Sequence, residues 1–366
     1  MKEKQLTKMS TNEEEETHSQ YAMQLASASL VPMVLKAAIE LGVFDILHRA
    51  GPGALLSATQ IASQLPSNNN PGADLVLDRM LRLLSAYSVL ACCVTSHQTD
   101  GEALRLYGLS PVSKYFIKNQ DGVSLASLLY LCNDKVIIDS WFHLKDAVLE
   151  GGLPFSQAYG MNVVEYVGKD ERFGGVFKDS MKEFNPIFMK KILETYKGFV
   201  GLKTLVDVGG GDGTILNMII SMYPAIKGFN YDLPSVVEKS PSYPGIEHIA
   251  GDMFVRIPSG DAIFMKWMLH GWDDKHCLMI LKNCYEALSD HGKVILVDMV
   301  IPESPETSLS ARSLFQFDVY LMNTNVTGKE RTEKELESLA KAAGFSNIRV
   351  ACSAFTFSVV ELFKKV

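Results

Sequence analysis

Leu205-Val-Asp-Val-Gly-Gly-Gly-Asp-Gly-Thr214 is the stretch on which the fold turns. A β-branched, apolar run at 204–208 leads straight into Gly209, Gly210, Gly211 and Gly213, and an apolar helical pattern follows at 215–222. Strand, glycine turn and helix in that order open a parallel α/β sheet. Ligands of such sheets bind at the carboxyl ends of the strands, where glycines let the backbone approach them. Four glycines are more than a bare strand-to-helix turn needs. A P-loop is excluded because no Gly-Lys-Ser/Thr follows, and a dinucleotide fingerprint fits poorly, since Gly211-x-Gly213 would need a third glycine where Leu216 stands. What remains is a cofactor without pyrophosphate, S-adenosylmethionine.

Downstream, residues 226–231, 247–249, 262–267 and 294–297 read as strands, separated by helix-like 235–239 and 276–288. A helix at 333–343 stopped by Gly344 precedes two strand-like runs, 348–352 and 356–363. This alternation predicts a parallel sheet with helices on both faces. Only Ser353-Ala-Phe355 joins the last two runs, too little for a parallel crossover, so the final strand is predicted to be antiparallel. Asp232 closes the second strand 25 residues after Asp207, where an acid can accept ribose hydroxyls. Asp252, in Gly251-Asp-Met-Phe254, closes the third, where it suits an adenine amine with Met253 on the ring.

Upstream the rhythm is different. Met23, Leu25, Ala26, Leu30, Met33, Val34, Ala37, Ala38, Ile39 and Leu41 follow a helical period, with Gly42 as a stop. Ser57 can cap a short helix at 56–65, and Pro71-Gly72 mark a loop before an apolar helix at 75–87. Short strands at 89–94 and 103–109 then flank Thr99-Asp-Gly101. Short helices followed by a strand pair form a winged-helix pattern. Its would-be reading helix carries only Arg79 and Arg82 and is otherwise apolar around most of its circumference, which predicts burial between subunits rather than a place in a DNA groove. Residues 123–199 are helical and aromatic-rich, suited to a core or to the wall of a pocket for planar rings.

The 366 residues are enough for about two domains, and 47% apolar with 21% charged residues is ordinary globular composition. Lys and Arg number 35 against 42 Asp and Glu, a net charge of −7, which argues against a nucleic-acid partner. The most apolar stretches, 25–35 and 123–132, fall short of the ~18 residues of a membrane span. The first residues lack the pattern of a secretory signal, so a cytoplasmic protein is expected, with 1–18, including the acidic run Glu13–Glu16, as a mobile tail. The six cysteines form no CxxC pair, and the Asn325-Val-Thr327 sequon is taken as chance. Four segments are predicted: the tail, a first domain at 19–122, a helical connecting and pocket region at 123–201, and a cofactor domain at 202–366.

The glycine loop, Asp232-Leu-Pro234, Gly251-Asp-Met-Phe254, Lys266-Trp-Met-Leu-His270-Gly-Trp-Asp-Asp274 and Gly328-Lys-Glu-Arg-Thr332 resemble the plant caffeic acid O-methyltransferase family, and the likeness runs over almost the whole chain. The resemblance implies a Rossmann-like class I methyltransferase sheet and a mostly helical, winged-helix-like dimerisation domain. It also implies a homodimer that methylates small phenols from S-adenosylmethionine without a metal. By the same resemblance Gly209, Asp232, Leu233, Asp252, Met253 and Lys266 bind the cofactor. His270 is then the base, oriented by Asp298 and Glu330. The chemistry suits these types. A sulfonium methyl is already electrophilic, so alignment and removal of the acceptor's proton suffice, and an imidazole of ordinary pKa near 6.5 is mostly neutral and basic at cellular pH. Asp298 and Glu330 are each expected to accept a hydrogen bond from the ring. His270 and His276, six residues apart, do not have the spacing of helical metal ligands.

Several positions depart from the family pattern. Asp298 replaces a glutamate, Leu131-Cys132 a Met-Asn pair, Phe184 and Val167 histidines, and Tyr320 an isoleucine, while Phe173, Phe177, Met181 and Asn325 are kept as pocket residues. A polar substrate group left without a partner costs about 1–3 kcal/mol. Caffeate and 5-hydroxyferulate are therefore expected to be poor acceptors beside a more apolar, larger or polycyclic phenol. An N-methyltransferase on an aromatic amine is the alternative within the same architecture. A catalytically silent dimeric binding protein is argued against by the intact Asp232, Asp252, Lys266, His270 and Glu330, and a NAD-dependent dehydrogenase is weakened by Leu216.

Overall fold

The structure, a computed structural model, describes residues 11–66, 69–96 and 103–365. The chain divides into two units, residues 1–133 and 134–366. The predicted connecting region 123–201 is therefore split, and most of it belongs to the second unit.

In the first unit, β1 (Leu56–Ser57), β2 (Leu90–Ser96) and β3 (Ala103–Leu109) form an antiparallel sheet in the order β1-β3-β2. The Thr99-Asp-Gly101 loop between its two longer strands lies outside the described residues. Ser57 caps the helix Ala58–Ala62 in a reciprocal box with Gln60. Gly42, at φ 73°, starts the helix Val43–Arg49 after the helix Leu30–Glu40 ends. The predicted helix through residues 23–41 is interrupted. The helix Thr11–Ala26 stops at a turn where the Ser27 hydroxyl donates to the Met23 carbonyl (3.0 Å), competing with the helical ladder. Residues 1–10 of the predicted tail lie outside the described residues, and residues 11–18 open that helix, with Glu13 and Glu14 favourably placed in its first turn. The apolar helix Ala73–Ala86 buries Leu77, Leu81 and Leu84 but exposes Leu75 and Val76 (71% and 53%), so within this unit it is buried on one face, not all round.

The second unit is built on seven strands in the order β11-β12-β8-β7-β4-β5-β6. Five of them run parallel: β4 (Thr204–Val208), β5 (Lys227–Asp232), β6 (Ile246–Ala250), β7 (Gly260–Lys266) and β8 (Leu288–Asp298). As predicted, β12 (Phe357–Phe363) is antiparallel, to both β8 and β11 (Asn347–Ala354), and it lies between them. Leu205, Val206 and Val208 of β4, residues 262–265 of β7 and 294–297 of β8 are all buried, the continuous apolar run of strands covered on both faces. The helices Asp274–Ala287 and Glu333–Ala343 cover one face through Ile280, Leu281, Leu336 and Leu339. On β12, the wholly buried Glu361 accepts from Tyr196 Oη (2.6 Å) and Lys293 Nζ (2.7 Å) and pairs with Arg349.

Two features were not anticipated. A helix at Leu309–Thr324, capped by Ser308, fills the gap before the helix Glu333–Ala343. A short parallel pair, β9 (Val300–Ile301) with β10 (Arg331–Thr332), ties the loop carrying Glu330 to the chain just beyond the end of β8. Among the described residues no single helix is long and apolar enough to cross a membrane, although the bent pair of N-terminal helices reaches that length together.

Candidate active site

The carboxyl ends of β8, β7, β4, β5 and β6 lie side by side and carry, in that order, Asp298, Lys266, the glycine turn, Asp232 and, two residues past its end, Asp252. Beside the turn is a cavity of about 460 Å³. It is lined by Gly209, Gly210, Gly211, Asp207 and Lys266, and by Phe177, Met181 and Asn185 of the long helix Glu171–Thr195. Gly209 and Gly211 sit at φ 71° and 60°, which a side chain disfavours, and a Cβ on Gly211 would meet nothing within 4 Å. Asp232 braces the turn, accepting from Gly211 N–H (2.9 Å) and Leu233 N–H (2.7 Å). Asn230 adds a donor to the Gly211 carbonyl (2.9 Å). Asp252 accepts from Phe254 N–H (2.8 Å), and Asn283 holds the Met253 carbonyl (2.7 Å). Asp232, Leu233, Asp252 and Met253 stand at the ends of the next two strands and do not line the cavity itself.

The charges at the cavity are unusual. Asp207 is buried and its Oδ2 has no hydrogen-bond partner. Burial pushes its carboxyl up to about 7 against the pull of Lys266, with Asp232 adding to the rise. Burial likewise draws the Lys266 ammonium down to about 8 against Asp207 and Asp298, and Lys266 donates to Asn185 Oδ1 (2.9 Å) with Phe188 under its charge (5.4 Å). An unpartnered buried carboxyl beside open glycine backbone fits a cationic ligand carrying its own donors, and S-adenosylmethionine is such a ligand. A cation entering this space lowers the Asp207 pKa from its raised value, so binding releases a proton. Cofactor affinity is then expected to rise as pH climbs from 6 towards 8. Calorimetry at pH 7 in two buffers of different ionisation heat checks it, and enthalpies that do not depend on the buffer refute it.

His270 sits in the short helical turn Leu269–Gly271 after β7. Its Nδ1 lies 3.0 Å from Glu330 Oε1. A carboxylate only accepts, so Nδ1 carries the hydrogen and Nε2 is the ring's acceptor. Glu330 is buried, receives Trp267 Nε1–H on the same oxygen (3.0 Å), and is anchored through its own N–H to Asp318 (2.9 Å). Arg331, also buried, holds the carbonyls on either side of the histidine, Leu269 (2.9 Å) and Trp272 (2.7 Å), and is steered by Asp274 (2.8 Å). His276, by contrast, is paired with Asp273 at a helix start (2.7 Å).

One expectation fails here. Both carboxylate oxygens of Asp298 are buried without a hydrogen-bond partner, so Asp298 makes no bond to the imidazole. Its side chain is one methylene shorter than the glutamate of the family pattern. It lines, with His270, Glu330 and Arg331, a cavity with about 10 Å³ of room. Burial pushes its carboxyl up to about 7 against the pull of His270, with Glu330 adding to the rise.

The predicted pocket residues scatter. Phe177 and Met181 line the glycine-loop cavity. Phe184 packs on Trp267 (5.8 Å) and Phe317 (6.0 Å), close to the histidine turn. Phe173 is wholly buried against Tyr166 (5.8 Å), a core contact. Asn325 bonds to backbone beside the histidine turn, donating to Gly271 O (3.1 Å) and accepting from Thr327 and Gly328 N–H. Tyr320 is half-buried on the unanticipated helix. Leu131 and Cys132 belong to the first unit, where burial pushes the Cys132 thiol up to about 11. Sequence reasoning gave no role to Asn185, Trp267 and Arg331 and used Asp207 only as a marker of spacing. Trp267 and Arg331 both lie inside motifs it quoted.

Residues 141–346 match the O-methyltransferase domain and residues 23–119 the O-methyltransferase dimerisation domain. Caffeic acid 3-O-methyltransferase of Rosa chinensis is 56% identical over 364 residues, covering 100% of this chain and 99% of its own. O-methyltransferase 1 of Lophophora williamsii is 57% identical over 345 residues, 94% of each chain. Human N-acetylserotonin methyltransferase, solved in complex with SAM, shares the fold with a TM-score of 0.76 at 20% identity, over 98% of this chain and 99% of that one. The parallel sheet with its antiparallel strand, the glycine turn and these matches agree: the chain belongs to the S-adenosylmethionine-dependent O-methyltransferase family.

Proposed function

We propose that the protein methylates a phenolic hydroxyl of a small, apolar aromatic compound of plant specialised metabolism, with His270 as general base and no metal. The observation that carries this is the His270 Nδ1 to Glu330 contact (3.0 Å), which leaves Nε2 to take a proton. S-adenosylmethionine, when bound, supplies an electrophilic methyl. Everything else falls to the chain. Gly209, Gly210 and Gly211 present backbone to the cofactor, with Lys266 and Asp207 meeting its charged groups, and Asp232, Leu233, Asp252 and Met253 serving its nucleoside part. His270 Nε2 removes the phenol proton as the new bond forms, and buried Glu330 stabilises the resulting imidazolium. Asp298 lines the small cavity beside the ring and makes no bond to it. Among the described residues no three His, Cys, Asp or Glu side chains are grouped to hold an ion.

The dimerisation domain supports a homodimer, and a cytoplasmic location fits the family reading. Near relatives are named for caffeic acid, yet Cys132 and Phe184 stand where the family pattern has hydrogen-bonding residues. Phe177, Met181, Phe184 and Tyr320 are taken to shape the acceptor site. A panel of phenols and aryl amines with labelled donor, run with and without EDTA, tests the reading. Apolar phenols are expected to exceed caffeate in kcat/KM by roughly tenfold or more, consistent with one lost polar contact. A caffeate value equal to the best phenol refutes the acceptor preference, and EDTA-sensitive turnover refutes the metal-free route.

A further inference from the structure

Trp267 ends β7's run into the site, between Lys266 and the turn that holds His270. Its backbone lies at φ 51°, in the left-handed region that a bulky side chain adopts only where its surroundings hold it there. The surroundings are visible. Its N–H donates to Val297 O (2.8 Å), one residue before Asp298, so the strained residue is tied to the neighbouring strand. Phe357 meets its ring edge-on at 5.4 Å, and Phe184 lies at 5.8 Å.

What the strained backbone achieves is a double contact with the histidine site. The indole Nε1–H donates to Glu330 Oε1 at 3.0 Å, the same oxygen that His270 Nδ1–H reaches at 3.0 Å. The indole plane also lies over the imidazole, with ring centroids 4.7 Å apart and planes 25° from parallel.

We propose that Trp267 is a positioning residue for proton transfer at His270, fixing the plane of the imidazole by stacking and tempering Glu330 by sharing its Oε1. The inference rests on the reading of His270 as the base. Its physical content is a balance. An oxygen that serves two donors stabilises the imidazolium less than one that serves His270 alone. The aromatic face returns part of that stabilisation, because a cation over an indole is attracted to its π electrons. The other charged groups around the ring are Asp298 of β8, Lys329 and Arg331, which line the small cavity with it, and Lys266, whose Nζ is 5.8 Å from the indole.

Two substitutions separate the two contacts. Trp267→Phe keeps an aromatic ring and loses the N–H donor. Glu330 then serves His270 alone, and the acidic limb of the kcat/KM profile is expected to move up by about 0.5 pH unit. kcat is expected to fall about tenfold, the usual cost of removing a residue that orients a reacting group. Trp267→Leu loses the face as well, so its acidic limb is expected below that of the Phe variant, with a further loss in kcat. The KM for S-adenosylmethionine stays within about twofold in both. In the unsubstituted protein, the indole Nε1–H and the His270 ring resonances are expected to titrate together in NMR, a readout that does not depend on the variants folding.

Folded variants with the wild-type pH profile and kcat overturn the proposal, as does an indole proton that ignores the titration of His270. Full activity of His270→Asn would instead remove the reading beneath it. An inactive His270→Asn beside unaltered Trp267 variants sinks the proposal alone.

Discussion

Replacing His270 by Asn is expected to lower kcat by roughly 10²–10⁴-fold while S-adenosylmethionine binds as before, because the group lost is the proton acceptor and not part of the cofactor cradle. The cavity beside the glycine turn is lined by Asp207, Lys266 and the glycines, with no atom of the His270 ring among them. Asn preserves polarity and approximate volume, so the turn held by Arg331 and Asn325 should persist. Glu330→Gln tests the same chemistry from the other side. The amide can still accept from Nδ1–H, but it no longer carries the charge that offsets an imidazolium, so an intermediate loss is expected. His276→Asn, at a helix start 42% exposed and paired with Asp273, should leave turnover near wild type. Full activity in His270→Asn together with loss in His276→Asn would move the base to the other histidine.

The second large effect is expected at Gly210. A Cβ there would stand 2.1 Å from Asn230 Oδ1 and 2.7 Å from Asp207 Cγ and Oδ2, well inside contact distance. Neither neighbour can retreat cheaply. Asn230 is wholly buried and its amide is committed to Gly211 O (2.9 Å) and His248 Nδ1 (3.0 Å), while Asp207 is buried on the register-paired strand. The relief available is a shift of the turn itself, which moves the backbone the cofactor must approach. Gly210→Ala is therefore expected to weaken S-adenosylmethionine binding by on the order of 100-fold, about 3 kcal/mol, with a smaller loss of folding stability. Calorimetric titration with S-adenosylhomocysteine reads it directly. Gly175→Ala, where a Cβ meets nothing within 4 Å, is the control, and equal affinities in the two variants would refute the argument.

Much of this site could be read from the chain because its parts are local. The glycine turn, Asp232 and Asp252 each follow a strand whose apolar run ends beside them, and strand ends of a parallel sheet share one edge by topology. Glu330 was legible for the same reason, through a short motif. Asp298 was read wrongly because type and position do not give reach, and the missing methylene matters only once the distance to the ring is set by β8. The backbone role of Asn325 was hidden in a related way: an amide near a pocket motif can also pin backbone, and here it holds Gly271 and Gly328. Asn185 escaped notice because its partner, Lys266, is 81 residues away in sequence and meets it through packing of the long helix. Trp267 needed a positive φ that nothing in a string of residues announces. The helix Leu309–Thr324 is not announced by the strand pattern, although Ser308 before an apolar periodic run is a usable start signal.

The position of β12 has a consequence for how the molecule comes into being. The strand is the last of its unit to be synthesised, yet it is interior, flanked by β8 and β11, with Phe357, Val359, Val360 and Leu362 buried and Ser358 paired with Asp298. A ribosome-bound nascent chain that has emerged only as far as β11 can assemble the five parallel strands, but it leaves the outer side of β8 an open, sticky edge. Closing that edge requires a contact of long sequence separation, so folding of this unit waits until translation has passed residue 363. Products that stop short of β12 would thus expose an unpaired apolar strand to chaperones and proteases, and a complete histidine site would be confined to chains that extend past it.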